Sequence, residues 1–421
     1  MQKSPKIRLA DFILAFSRVL DFVSPQIANH HLRVAIIASA IAEAFGMPRR
    51  ETAEIFLAAT IHDIGVFSLR EKFEALEFEM ANPHLHAERG YLLTKDFTLF
   101  SGAAKIIRHH HTPWDYGNGC RSAGEEVPVG AHILHLADRI EVLIFRNAEI
   151  LSQRRHITAA VRCHSGKTFM PELLEAFDAL AVKESFWFDA TSPEIPQIIA
   201  ERKVLPRHEL DIGELLNISR IFSQIIDYRS TFTSVHSAGV SAVSSLLAQM
   251  MGFSDNECMM MSIAGYLHDI GKLAIPPEVL DKPGTLSEEE FNTIKSHVYH
   301  SYRVLEGVAG LDTINTWGSL HHERIDGTGY PFRLRGSSLP IGSRIMAVAD
   351  VFTAVTEDRP YRSGMTGEHA LRVIKDMAQG NALDHSIVSV ASTCFGLLND
   401  ARIQAQQKAG ECYQPIQQLL R

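Results

Sequence analysis

Cysteine is scarce in this chain. Its five residues, Cys120, Cys163, Cys258, Cys394 and Cys412, include no Cys-x-x-Cys pair, which argues against a zinc ribbon and a disulfide framework. Free thiols in a reducing cytoplasm are the expectation. Long apolar runs are lacking too: none reaches the roughly 18 residues that a membrane-spanning helix needs. The stretch from Leu9 to Leu20 is broken by Asp11 and Arg18, which reads as an amphipathic helix and not as a signal sequence. Positive charge is in deficit. Lys and Arg number 41 against 49 Asp and Glu, a formal charge of −8, so a nucleic-acid polymer is not an expected partner. A small anionic substrate stays compatible, because bound cations supply positive charge locally.

What the chain does have is ordinary globular material, 46% apolar and 21% charged over 421 residues, enough for two domains. Apolar residues recur at helical spacing, as in Ile36, Ile37, Ala40, Ile41 and Ala44, and in Val240, Val243, Leu246, Leu247 and Met250. Alternating strand patterns are few. The expected fold class is all-α.

The histidines carry a repeat. His30 precedes His62-Asp63 by 32 positions, and His236 precedes His268-Asp269 by the same 32. His86 to His110 is 24 residues, as is His297 to His321, and each second member opens a His-His pair. Asp138 follows His111 by 27 and Asp350 follows His322 by 28. The chain therefore reads as a tandem duplication. The pattern lapses over residues 189–213, which hold Pro193, Pro196, Pro206 and Gly213. The expected domains are 1–204 and 205–421.

A single His on an apolar helix is usually structural. In the second half, however, His236, His268, Asp269, His297, His321, His322 and Asp350 together offer five imidazoles and two carboxylates. That donor set suits Fe, Mn, Ni or Zn. It is too large for one ion, and an Asp in a His-Asp pair is placed to bridge two. Two-metal sites activate water and stabilise a leaving oxygen, so phosphoester hydrolysis is the natural chemistry.

Further motifs stand in order around these residues. They are His268-Asp269-Ile270-Gly271-Lys272, Lys282-Pro283-Gly284, His321 to Pro331 ending in Gly329-Tyr330-Pro331, Arg344-Ile345, Val348-Ala349-Asp350, and Asp358-Arg359-Pro360-Tyr361-Arg362. Over about residues 225–390 the chain resembles the HD-GYP family of cyclic-dinucleotide phosphodiesterases. The resemblance implies that His236, His268, Asp269, His297, His321, His322 and Asp350 are metal ligands, with His268 and Asp269 at the catalytic centre. It implies that Lys272 holds a substrate phosphate, that Arg344 contacts substrate or braces the Gly-Tyr-Pro loop, and that Gly329, Tyr330 and Pro331 form a rigid turn beside the metals. Gly is read there as the residue that permits positive φ. Some members have a Glu four residues before the first ligand His, where it helps hold a third metal. Phe232 stands at that position, so two divalent ions (Fe, Mn or Ni) are expected. Asp384-His385 replaces the usual Asp-Pro.

The first half keeps His30, His62, Asp63, His86, His110, His111 and Asp138 but has Val66 for Lys272, Thr112 for Glu323 and His132 for Arg344, and no Gly-Tyr-Pro. It is expected to be a degenerate HD-like domain with a regulatory or structural role; a weak second hydrolase and a metal-free relic are the alternatives. The expected activity is hydrolysis of a 3′,5′ bond in cyclic di-GMP or 3′,3′-cyclic GMP-AMP. An HD-type nucleotidase and a non-catalytic binding scaffold are the rivals. A cytoplasmic enzyme is expected, and a homodimer is left open.

Overall fold

The computed structural model describes residues 5–20, 29–66, 71, 74, 75, 77, 78, 84–205, 207–229, 235–282, 284–358 and 363–419. Pro206, Phe232, Pro283 and residues 359–362, which the sequence reading singled out, lie outside the described residues. Among the described residues regular structure is helical apart from two short antiparallel pairings, Ile7–Arg8 with Glu209–Leu210 and Arg121–Ser122 with Glu125–Glu126. The fold class is all-α, as expected. Among the described residues no helix is long and apolar enough to cross a membrane.

The chain divides into two compact units. One comprises Phe16–His208, and the other joins Met1–Ala15 to Glu209–Arg421. The division lies a few residues beyond position 204, and the amino-terminal stretch falls with the second unit. The strand Ile7–Arg8 pairs with Glu209–Leu210 inside that unit. Part of the expected linker is regular structure. Pro196 lies in the first turn of the helix Ile195–Arg202, where its missing N–H costs nothing, and Gly213 lies in the helix Ile212–Arg229.

Each unit repeats the same five-helix order. In the amino-terminal unit it runs His30–Phe45, Arg49–Ile61, His84–Thr94, Ser101–His109 and Val129–Val142. In the carboxy-terminal unit it runs His236–Met250, Asp255–Leu267, Glu288–Glu306, Asp312–Ser319 and Ile341–Thr356. The first helix is central. From His30 to Ala42 every residue but the half-buried Arg33 is buried, so this helix is enclosed on nearly every side and not merely amphipathic. Ala44, expected in its apolar stripe, is exposed because the helix ends there at Gly46. In the second copy Leu246 and Met250 are only half-buried, whereas Ser237, Ser241 and Ser244 are buried.

Close packing explains two glycines. A Cβ on Gly271 would lie 1.9 Å from the His297 carbonyl oxygen, and one on Gly65 would lie 2.1 Å from that of His86. Each His-Asp-Ile-Gly segment thus presses its glycine against the backbone that carries the next ligand His. Any side chain at either position would push the two ligand groups apart.

Candidate active site

The carboxy-terminal unit brings all seven selected side chains to one place. His236 opens its helix, His268-Asp269 follows Asp255–Leu267, His297 lies within Glu288–Glu306, His321-His322 follows Asp312–Ser319, and Asp350 lies in Ile341–Thr356. Nδ1 of His268, His297 and His321 each donates to the carbonyl three residues earlier, on Gly265, Ile294 and Gly318, at 2.8, 2.5 and 2.7 Å. Those bonds select the tautomer and turn each Nε2 lone pair inward. The three Nε2 atoms and Asp269 Oδ1 are buried with no hydrogen-bond partner. Buried polar atoms are normally paired, so four that converge unpaired fit the donor set of a cation.

Asp269 divides its two oxygens. Oδ2 is 3.1 Å from His268 Nε2, while Oδ1 is 3.2 Å from His297 Nε2 and 3.9 Å from His321 Nε2. On one side stand His236, His268 and Asp350; on the other stand His297, His321 and His322; within each group the donor atoms lie within 4.8 Å of one another. Burial pushes His322 down to about 3 and His321 well below its ordinary value, which leaves both neutral, as metal ligation requires. Burial acts the same way on His236, but the Glu357 and Asp350 carboxylates overcome it and raise this imidazole to about 10. Burial alone would raise Asp269 and Asp350, yet the surrounding imidazoles hold both below the usual carboxylate range, with Lys272 adding to the effect on Asp269.

Lys272 Nζ lies 2.5 Å from Asp269 Oδ2, so the ammonium stands directly over the shared carboxylate. The Tyr330 ring packs on the His322 ring with centroids 4.9 Å apart. Gly329 serves this contact differently from the expectation. Its φ is not positive; instead a Cβ there would lie 2.4 Å from the Arg324 nitrogen and 2.5 Å from the Glu323 Cα. The glycine is needed because the strand of loop crosses its own backbone closely. Pro331 follows through a cis peptide bond. Arg344 donates to the Leu339 and Gly336 carbonyls, both at 2.8 Å, and to Asp384 at 3.1 Å.

Two family models, each described as an HD domain, match residues 27–143 and 220–387. The 3′3′-cGAMP-specific phosphodiesterase 1 of Vibrio cholerae serotype O1 is 30% identical over 393 residues, covering 91% of each chain. The chain belongs to the HD-GYP phosphodiesterase family. The cyclic di-GMP phosphodiesterase response regulator RpfG of Xanthomonas campestris pv. campestris is 36% identical over 217 residues, 51% of this chain and 54% of that one. A crystal structure of a cyclic GMP-AMP specific phosphodiesterase of V. cholerae superposes with a TM-score of 0.63 at 20% identity, over 93% of this chain and 98% of that one; this likeness speaks to the fold.

Two buried carboxylates of the HD-GYP unit, Glu357 and Asp227, escaped the sequence reading, and a third, Glu323, was given no role there. Glu357 accepts from His236 Nδ1 at 3.0 Å and from Gln406 Nε2 at 3.1 Å. Glu323 accepts from the backbone N–H of Phe332 at 2.6 Å and of Leu334 at 3.0 Å, which anchors the loop just beyond Pro331. Asp227 accepts from the Ser237 hydroxyl at 2.8 Å, and burial pushes it up to about 7. No spacing rule exposes Glu357, because 121 residues separate it from His236.

The amino-terminal unit assembles its own seven residues. Asp63 Oδ2 is 3.5 Å from His62 Nε2 and Oδ1 is 3.4 Å from His86 Nε2. Nε2 of His86 meets Nε2 of His111 at 3.0 Å and of His110 at 3.4 Å. His30 Nδ1 donates to Glu141 at 2.6 Å, the counterpart of the His236–Glu357 bond. The lost cation returns elsewhere: Arg139, 2% exposed, pairs with Asp138 at 2.6 Å.

Proposed function

We propose that the carboxy-terminal unit hydrolyses a 3′,5′ phosphodiester bond of a cyclic dinucleotide, 3′,3′-cyclic GMP-AMP first and cyclic di-GMP second. The observation that carries the reading is Asp269, whose two oxygens face two separate imidazole groups while Lys272 covers the same carboxylate. The order of substrates follows the relative that matches along 91% of the chain. A cytoplasmic site of action is part of the proposal.

In this reading His236, His268 and Asp350 would hold one divalent ion and His297, His321 and His322 a second, with Asp269 as a ligand available to both. Fe, Mn or Ni would suit these donors. When bound, such a pair polarises a phosphoryl oxygen and lowers the pKa of water. The protein's own groups do the rest. Lys272 moves its ammonium from Asp269 to a non-bridging phosphate oxygen as substrate enters, which keeps the charge of the site balanced. Glu357 keeps His236 in the tautomer that presents Nε2. Tyr330 walls the site beside His322, and Glu323 and Arg344 hold the loops on which that wall depends. Arg344 acts as a brace, since three of its N–H groups are committed to protein acceptors.

The test is turnover by the full chain, with Mn²⁺ or Fe²⁺ added under anaerobic conditions, of cyclic GMP-AMP, cyclic di-GMP and AMP. Cleavage of a cyclic dinucleotide that disappears in His268→Ala supports the reading. Release of phosphate from AMP alone would make the unit a nucleotidase. Binding of the dinucleotides without turnover would make it a scaffold.

A further inference from the structure

We infer that the amino-terminal unit carries a second metal-dependent binding site, which takes a nucleoside monophosphate and not a cyclic dinucleotide. A cavity of about 280 Å³ opens beside its histidine cluster. His111 belongs to both: it lines the cavity, and its Nε2 lies 3.0 Å from His86 Nε2. Three Nε2 atoms, of His86, His110 and His111, converge there with donor atoms within 4.8 Å of one another. Facing lone pairs repel unless a cation or a proton lies between them. His110 commits its Nδ1 proton to the Ile107 carbonyl at 2.6 Å, which leaves its Nε2 lone pair facing the other two nitrogens, a donor set that fits a metal ion. Among the described residues no ammonium pairs with Asp63, and Val66 stands where the other unit has Lys272.

The cavity states the chemistry of its ligand. Lys167 stands at its exposed rim, and none of the described side chains lining it is acidic. Together with a metal at the floor this selects an anion. The walls are aromatic: Phe78 packs on His164 with centroids 5.2 Å apart, and Phe169 packs on His135 at 5.4 Å. Such walls favour a planar ring. The wall is also held in place, because Arg139 donates to the carbonyls of Ala75, Glu77 and Phe78 while it grips Asp138. All these donors are committed to protein acceptors, so Arg139 is a fastener and the phosphate falls to the metal and Lys167. The volume lies just under the roughly 300–1,000 Å³ of ordinary small-molecule sites. That admits one nucleotide and excludes two.

The site is independent of the hydrolytic reading, and the experiment keeps them apart by using the full-length His268→Ala chain, in which turnover is removed. Elemental analysis of that chain should show less metal than wild type but not none, the remainder being that of the amino-terminal unit, and a further loss when Asp63→Asn is added. Titration calorimetry of the Mn²⁺-loaded chain with AMP should show saturable binding that Asp63→Asn and Lys167→Glu each weaken at least tenfold, with inorganic phosphate binding more weakly than AMP. Lys167 is exposed, so its variant keeps the test alive if Asp63→Asn unfolds. AMP affinity unchanged by Lys167→Glu, or no saturable AMP binding, overturns the proposal. Phosphate binding as tightly as AMP overturns the planar-ring assignment.

Discussion

Replacing Glu357 with Gln keeps the shape of the side chain and removes its charge. His236 then loses the nearer of the two carboxylates that raise it to about 10. Two consequences follow with opposite signs. At pH 7 the wild-type imidazole is protonated in the metal-free protein, so a metal must displace that proton, at a cost of about 4 kcal/mol for three pH units. The variant is relieved of part of this cost. Against that, Glu357 orients His236 and makes it a more basic donor, and loss of such a partner typically weakens metal affinity by about 10–100-fold, or roughly 1.4–2.7 kcal/mol. Near neutral pH the two effects largely offset each other. Above the raised pKa the proton cost is gone and only the weakening remains.

The expected result is therefore a deficit that grows with pH. Competition between metal-free protein and a chelator for Mn²⁺, measured from pH 6.5 to 9.5, should give a steeper rise of affinity for wild type than for Glu357→Gln, by a fraction of one proton. The same pKa makes the metal-free protein pH-sensitive. His236 is raised above its unfolded value of about 6.5, so its stabilising contribution is complete below pH 6.5 and is lost as pH rises through about 10. Parallel affinity curves for the two proteins would refute both the proton count and the role of Glu357.

Lys272→Ala should slow turnover with metal content unchanged, whereas His268→Ala or Asp269→Ala should lose metal and activity together with helicity retained; elemental analysis and circular dichroism separate the cases. Gly329→Ala should lose activity at least tenfold with metal retained, because its Cβ would lie 2.4 Å from the Arg324 nitrogen and displace the Tyr330 wall. Asp227, raised to about 7 by burial, contributes stability below its unfolded pKa that is lost as pH rises through 7. Asp227→Asn should therefore raise the melting temperature at pH 8.5 more than at pH 5; an equal shift at both would show that its carboxyl does not titrate on unfolding.

The duplicated His spacing carried much of the architecture, because a buried donor set constrains chain length between its members. Thirty-two residues between His236 and His268 span one helix down and one helix back, and the same holds from His30 to His62. The supporting carboxylates obey no such rule. Glu357 lies seven residues beyond Asp350 and Glu141 three beyond Asp138, so one function is met from different turns of the last helix or just past it. The role of Gly329 was misread because a close backbone approach and a positive φ both demand glycine, and only coordinates tell them apart. Ala44 and the segment around Pro196 were misjudged for a local reason, since helix ends are set by caps and tolerated prolines more than by apolar period.

The two units differ most in where they keep their buried cation. In one, Lys272 rests on Asp269, the carboxylate between the two imidazole groups, on a side chain long and supple enough to leave it. In the other, Arg139 rests on Asp138, and its remaining donors are bound to three backbone carbonyls. A guanidinium held by five bonds in a fixed fork does not move to meet a substrate. The first arrangement suits a charge that must transfer to a phosphate as the reaction proceeds, and the second suits a wall that must keep its shape while a ligand comes and goes. Exchange of Val66 for Lys would therefore place an ammonium near Asp63 without freeing Arg139, and should not by itself confer phosphodiesterase activity on the amino-terminal unit. Turnover of cyclic GMP-AMP by Val66→Lys in the His268→Ala chain would show that the missing ammonium was the whole of the difference.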